Sequence, residues 1–417
     1  MNYEASRQAA ERLGASIDVV QEWAQENRIP GAAQSGRSWM ISADFVPADL
    51  ADAQPEHAEG GSAFDDAGAT GPNGNAQPDR AEGGCFAHIA MPLMNSAYPV
   101  GRCREFIASI PDGDERAIAW GEYYYYSGQA EQAARVMEPY QDSADPMLRG
   151  SANLVGFFAN LSRGNTQMAM HAFERLLEDL QKEPGAQVAP LQRAIGALVV
   201  TTASVLLHLP VAGDVDLQQC ISCLPEGLKL WACYLLAHKA YLEKNYNGSL
   251  AIAELSLAIN PKLYPVSAIY VHLVAAMDLM SLKRVQEARQ HVAQAWALAQ
   301  PDGLIEPFGE HHGLLQGMIE RFFQEDDPEM FERIIAITYS FSAGWRKIHN
   351  PLARQAVADN LTTTEFTIAM LYNRGWTAKE IASYMNLSPR TITNTIQVIY
   401  QKLGISGKRE LEKFMLA

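Results

Sequence analysis

Few residues of this 417-residue chain have the types and spacing that chemistry needs. Cys220-x-x-Cys223, followed by Cys233 and His238, supplies the donors of a Cys₃His zinc set. Cys233 and His238, however, fall inside an amphipathic helix expected over 228–243. Buried free cysteines are therefore the better account, and a metal or redox sensor the alternative. His311-His312 reads as a turn between Gly309 and Gly313 rather than a ligand pair. The run Tyr123–Tyr126 puts Tyr124 on the packing face of a helix and its neighbours along a groove. There is no Ser/His/Asp elbow, no carboxylate pair with catalytic spacing and no G-x-x-x-x-G-K-[ST] phosphate loop. Neither an enzyme nor a bound cofactor is expected. What remains is a polar strip near the carboxy terminus: Arg390, Asn394, Gln397 and Gln401, flanked by Thr393.

Two short helices must hold that strip. Ala378–Met385 reads as the first, with Ala378, Ile381, Ala382 and Met385 on one face. Asn386 and Leu387 make a turn. Ser388 stands where an N-cap belongs, and Pro389 at the first helical position. The second helix runs to about Leu403, with Ile392, Ile396, Ile399 and Leu403 at steps of four, three and four. At 100° per residue the polar strip lies opposite this apolar seam. Two helices, a tight turn and a polar outer face make a helix-turn-helix.

The stretch resembles the LuxR-type DNA-binding domain over about 50 residues. The resemblance rests on Leu361-Thr362, Glu365, Gly375, Lys379-Glu380-Ile381-Ala382, Leu387-Ser388, Thr391-Ile392, Ile399-Tyr400, Lys402-Leu403-Gly404 and Leu411. The chain departs from the family at Thr364, Thr393 and Thr395, where Arg, Lys and His are usual. The resemblance implies double-stranded DNA as partner. The expected contact set is Lys379, Ser388, Arg390, Thr391, Thr393, Asn394, Gln397 and Lys402. Asn394 is placed to pair with adenine, and Lys379, Thr391 and Lys402 to hold phosphates. The family pairs its domains through the last helix, which implies a homodimer on DNA with Leu411 and Phe414 as apolar contacts.

Charge agrees with a local site. The whole chain carries −15, which argues against a nucleic-acid coat. Residues 361–417 carry seven Lys and Arg against four Glu, a net of +3. Five unevenly placed cysteines and a polar amino terminus suggest a reducing cytoplasm. The uncharged run 194–213 contains Gly196, Thr201, Thr202, Ser204, His208 and Pro210. It reads as a buried helix, not a membrane span.

The remainder divides into three parts. Residues 1–47 resemble the winged helix of MerR and excisionase-type proteins, through Ala9-Ala10, Leu13-Gly14, Ser16, Val20, Trp23, Arg28-Ile29-Pro30 and Gly36-Arg37-x-Trp39-x-Ile41. Helices are expected over 7–13 and 17–26, then a β-wing from Arg28-Ile29-Pro30-Gly31 and 36–41. Asp18, Glu22 and Gln25 face outward and would be repelled by phosphates, so Arg28 and Arg37 in the wing are the candidate second DNA contact. The alternative is a protein-binding or structural unit.

Residues 48–95 form an acidic linker. Its 48–84 part carries one Arg against eight acids, with a root-mean-square reach on the order of 33 Å. Residues 96–350 read as about six helix pairs. Gly121, Tyr124, Gly128, Ala133 and Met137, then Gly164, Ala169 and Phe173, resemble the small and aromatic positions of tetratricopeptide pairs. The expected fold is thus mainly all-α: a small winged helix, a tetratricopeptide-like α-solenoid, and a helix-turn-helix over 351–417. The expected function is transcription regulation, with the helical array sensing a small molecule or protein. The rival is a scaffold or anti-activator whose array binds another regulator.

Overall fold

The computed structural model describes residues 3–5, 33–35, 38–42, 88–181, 189–207, 216–259, 262–324, 326–349 and 361–412. The chain divides into two compact units, Met1–Asn73 and Gly74–Ala417.

In the first unit, three short strands form an antiparallel sheet in the order β1-β3-β2: β1 Tyr3–Ala5, β2 Ala33–Ser35 and β3 Ser38–Ser42. Ser35 stands opposite Ser38, and Tyr3 opposite Ser42. β3 covers the 38–41 part of the expected wing. Its first strand, however, starts at Ala33 rather than at Arg28–Gly31, and β1 had no sequence signal. A three-residue strand is too short for an alternation to show. The expected helices over 7–13 and 17–26, Arg28, Arg37 and the linker to residue 87 lie outside the described residues.

The second unit is helical. Its helices are α1 Cys103–Ser109, α2 Asp114–Tyr126, α3 Ala130–Met137, α4 Pro146–Ser162, α5 Thr166–Gln181, α6 Pro190–Leu206, α7 Leu217–Cys220, α8 Glu226–Leu242, α9 Tyr246–Ile259 and α10 Pro265–Ser281. They continue with α11 Val285–Ala299, α12 Glu306–His311, α13 Met318–Phe323, α14 Pro328–His349, α15 Thr363–Asn373, α16 Ala378–Met385, α17 Pro389–Leu403 and α18 Lys408–Leu411. None of the described helices is long and apolar enough to cross a membrane.

One turn recurs in four hairpins: α2–α3, α4–α5, α8–α9 and α10–α11. In each, the second residue after the first helix has positive φ: Gly128 (78°), Gly164 (72°), Lys244 (63°) and Lys283 (62°). In each, the following N–H bonds to the carbonyl five residues back, as Gln129 does to Tyr124 and Arg284 to Leu279. This closes the helix end and sends the chain back antiparallel. Glycine adopts this conformation freely. Lysine does not, so only the first two turns showed in the sequence.

Packing on both sides makes α10 buried nearly all round and mostly apolar, with Ser267 and Asp278 as polar exceptions. Val266 to Met280 are buried except His272, as expected of a helix at the centre of an array. Residues 88–95, expected in the linker, instead form a strap within the core. Met91, Leu93 and Met94 are at most 1% exposed. The Glu122 carboxylate accepts the N–H of Leu93 at 2.5 Å, and the Ser151 hydroxyl accepts that of Met91 at 2.9 Å. Burying three large apolar side chains is worth about 1.5–3 kcal/mol each, enough to hold a segment that has no helix of its own.

Several expectations about polar residues are corrected. Tyr123, Tyr125 and Tyr126 are buried, and Tyr124 is the most open of the four, the reverse of the expected arrangement. Tyr125 and Tyr126 instead line a small internal void together with Phe158 and Tyr270. His311 ends α12 and, like His312, is nearly fully buried. The His311 ring lies 2.8 Å from the Pro307 carbonyl and 2.9 Å from the Tyr234 hydroxyl. Cys220, Cys223 and Cys233 are free and half-buried, and Cys103 is free and buried. Among the described residues no group of three or more His, Cys, Asp and Glu side chains is arranged to hold a metal ion.

Candidate nucleic-acid interface

Caps fix the carboxy-terminal domain helix by helix. Thr362 and Thr377 each accept the N–H of a glutamate three residues on, Glu365 and Glu380, and each glutamate accepts the threonine's own N–H. These reciprocal bonds satisfy helix-end donors. Asn386 takes the left-handed conformation at φ 55° and turns the chain between α16 and α17. Ser388 caps α17 by accepting the N–H of Thr391 at 3.0 Å, and Pro389 opens the helix. Gly404 closes it at φ 64°.

The inner face of α17 is apolar. Ile392, Ile396, Ile399 and Leu403 are buried together with Ile368, Leu371 and Ile381. The outer face is open: Arg390, Thr391, Thr393, Asn394 and Gln397 are exposed. Among the described residues the side chains of Arg390, Asn394 and Gln397 make no hydrogen bond or ion pair, and neither does exposed Lys379. Two contact candidates are turned inward chemically. The Thr393 hydroxyl donates to the Pro389 carbonyl at 3.0 Å, and Lys402 pairs with Glu365 at 2.7 Å. Burial raises the Glu365 carboxyl, but Lys402 and Thr362 outweigh it and hold the group below its ordinary range.

Leu411 corrects the expected dimer contact. It is fully buried, on α18, which packs against α15 within the domain. A leucine spent on the domain's own core cannot face a second copy. Phe414 lies outside the described residues.

The domain is docked on the helical array through polar contacts that the sequence did not reveal. Arg374, in the α15–α16 turn, donates to the hydroxyls of Tyr241 (2.8 Å) and Tyr246. Its guanidinium lies 5.1 Å from the Tyr241 ring centre. Lys283 donates to Glu380 at 2.8 Å and sits 5.7 Å from the Trp376 ring centre. Lys283 and the Thr377 N–H together pull the Glu380 carboxyl down to about 2. Arg321 donates to the Tyr384 carbonyl, and the Thr367 hydroxyl donates to Glu320 at 3.2 Å. Arg374 and Lys283 lie in turns, where sequence patterns give no facing direction. All these contacts lie away from the outer face of α17.

Such a domain, with a capped apolar-backed helix and an open polar face, defines a helix-turn-helix. Residues 359–415 match the family described as bacterial regulatory proteins, luxR family (GerE). The carboxy-terminal domain is therefore a luxR-family helix-turn-helix, the domain of DNA-binding transcription regulators. No curated protein and no solved structure matches the chain.

Proposed function

We propose that this chain is a transcription regulator in which α17 enters the major groove of double-stranded DNA. Arg390, Asn394 and Gln397 face the base edges, and Lys379, with the exposed Ser388–Thr391 start of α17, faces the phosphates. Lys402 remains with Glu365. The observation that supports this most directly is the outer face of α17. The side chains of Arg390, Asn394 and Gln397 are exposed and make no hydrogen bond or ion pair among the described residues, while the opposite face is buried.

In this reading the tetratricopeptide-like pairs form the control module, and the amino-terminal sheet belongs to a winged helix. The charge is placed accordingly: a positive carboxy-terminal segment in an acidic chain draws DNA to one end. Two copies would pair on DNA, through a surface other than Leu411.

Fluorescence anisotropy against a pool of labelled duplexes, followed by sequencing of the retained DNA, tests the reading. Affinity should fall with salt at a log–log slope of about −0.9 for each phosphate neutralised. Asn394→Ala should cost about 1–3 kcal/mol of base discrimination. Retention that is indifferent to salt and unchanged in Asn394→Ala and Arg390→Ala would remove α17 as the reader.

A further inference from the structure

One helix of the array turns an apolar face to solvent. Of the 14 residues of α9, Glu254 alone is charged. The buried side of the helix is Ser249, Leu250, Ala253 and Ser256. The outer side carries Ala251, Leu255, Ala258 and Ile259, at helical spacing. Leu255 is 60% exposed and Ile259 67%, and Leu263, just beyond the helix, is 42% exposed. α11 holds the same place in the next hairpin, yet its open residues include Gln286, Glu287, Arg289, Gln290 and Gln294. Single apolar side chains are common at a surface, but a continuous stripe of them marks a contact face.

Two exposed residues of opposite charge frame the stripe. Glu254 lies four residues before Ala258, and Lys262 four residues after it. A second copy of α9 laid antiparallel across Ala258 brings each Glu254 to Lys262 of the other copy. A parallel copy would set like charges side by side. Alanine at the crossing point lets the two helices approach closely, and two-fold symmetry makes every contact twice.

The spacing of the DNA-binding domains agrees. Tyr246, at the start of α9, accepts a hydrogen bond from Arg374 of the helix-turn-helix. Ala258 lies twelve residues further on, about 18 Å at the rise of an α-helix. In the antiparallel pair the two points where the arrays meet their helix-turn-helix domains are then about 36 Å apart along the helix direction. Half-sites one turn of DNA apart are separated by about 34–36 Å.

We propose that α9 is the surface through which two copies of this chain pair, antiparallel about Ala258. The proposal rests on the reading of the chain as a dimer on DNA and names the surface that makes it. One helix face falls short of the roughly 800 Å² per partner of a standard interface. The pair is therefore weak in the free protein and is completed when DNA holds two copies together.

The test is sedimentation equilibrium of the full chain without DNA, across the micromolar range. A reversible monomer–dimer equilibrium is expected. Leu255→Glu puts a carboxylate in the stripe and should weaken the dimer at least about tenfold. Ile259→Ser, which adds no charge, gives the same reading where Leu255→Glu lowers the melting point. Glu254→Lys sets lysine against Lys262 and should weaken the dimer several-fold, and adding Lys262→Glu should restore it. A parent that is monomeric at every concentration, stripe variants that pair as the parent does, or a double variant no better than Glu254→Lys would each overturn the proposal. No DNA enters the test, so its failure leaves the reading of α17 untouched, and a dimer that ignores DNA would remove that reading alone.

Discussion

The helix-turn-helix and the array around it dispose of charge in opposite ways. In α15–α18 every charged side chain stays at the surface, and the core is built of Ile368, Leu371, Ile381, Ile392, Ile399 and Leu411. In the array Glu122, Asp278 and Glu306 are at most 1% exposed. Burial raises all three carboxyls, Glu122 and Asp278 to about 8. The first arrangement makes a stable platform for an outward face. The second gives up stability to place polar groups inside, which proteins do where they bind or switch.

Breaking the packing of the array should have the largest effect. Gly344 of α14 lies against α4 so closely that an added Cβ would stand 2.2 Å from the Leu161 carbonyl oxygen. Backbone cannot give way as a side chain can. Gly344→Ala should cost roughly 3 kcal/mol or more, read as a fall in the urea midpoint of the full chain. An unchanged midpoint would mean that the two helices are free to part.

Acid and alkali should then act on the two regions with opposite sign. Glu122 and Asp278 have folded pKa values above their unfolded ones. Between about pH 4.5 and 8 the unfolded chain gives up protons that the folded chain keeps. Array stability falls as pH rises through that window, by at most about 1.4 kcal/mol per pH unit for each group. Glu122→Gln should flatten this fall, as thermal melts at pH 5 and pH 8 would show. Glu380, held low by Lys283, contributes stability that is present above its unfolded pKa near 4.5 and lost as pH drops toward 2. Docking of the helix-turn-helix should thus loosen in acid while the array's buried carboxyls are at their most stable. A melt in which Glu122→Gln tracks the parent at both pH values would remove Glu122 from the account.

Much of the helix-turn-helix was legible because its signals are local. Ser388, Pro389, the seam of isoleucines and Gly404 mark α17 at both ends, and Ala378–Met385 is the helix the pattern predicts. The array was legible where a helix shows its period or its lack of charge, as over 228–243 and 194–206, and where a turn uses glycine, as at Gly128 and Gly164. Its strap, 88–95, is a short apolar run with no period. Its interior carboxylates look like surface residues to any composition rule, since charged side chains are seldom buried. Four consecutive tyrosines cannot show which face is open when a helix is covered on several sides. Arg374 was visible as a charge but not as the side chain that ties the two regions together.

A smaller effect checks the local side of the comparison. Ser388→Ala removes the cap of α17 and should cost about 1 kcal/mol. Its helix has other support, from Pro389 and the buried seam, so the domain should stay folded and its melting point shift by a few degrees. Loss of the whole fold would mean that the cap, not the seam, organises the domain.

The smallest effect is also the finest test, because it asks one substitution to differ in sign between two copies of the same turn. Lys244 and Lys283 both sit at φ near 60°, where a residue with a Cβ is strained by about 1–2 kcal/mol. Glycine relieves that strain but adds about 0.5–1 kcal/mol of backbone entropy to the unfolded chain. The net gain is then roughly 0.5–1 kcal/mol where nothing else is lost. At Lys244 little is lost: its amine lies 3.8 Å from Glu412, and both side chains are more than 60% exposed, so the pair is worth little. At Lys283 the amine holds Glu380 and lies beside the Trp376 ring. Lys244→Gly should raise the melting point slightly, and Lys283→Gly should not, because it also loosens the docked domain. Hydrogen exchange of the α15 and α16 amides should accordingly speed up in Lys283→Gly alone. Equal behaviour of the two variants would show that the contact between Lys283 and Glu380 does not hold the domain in place.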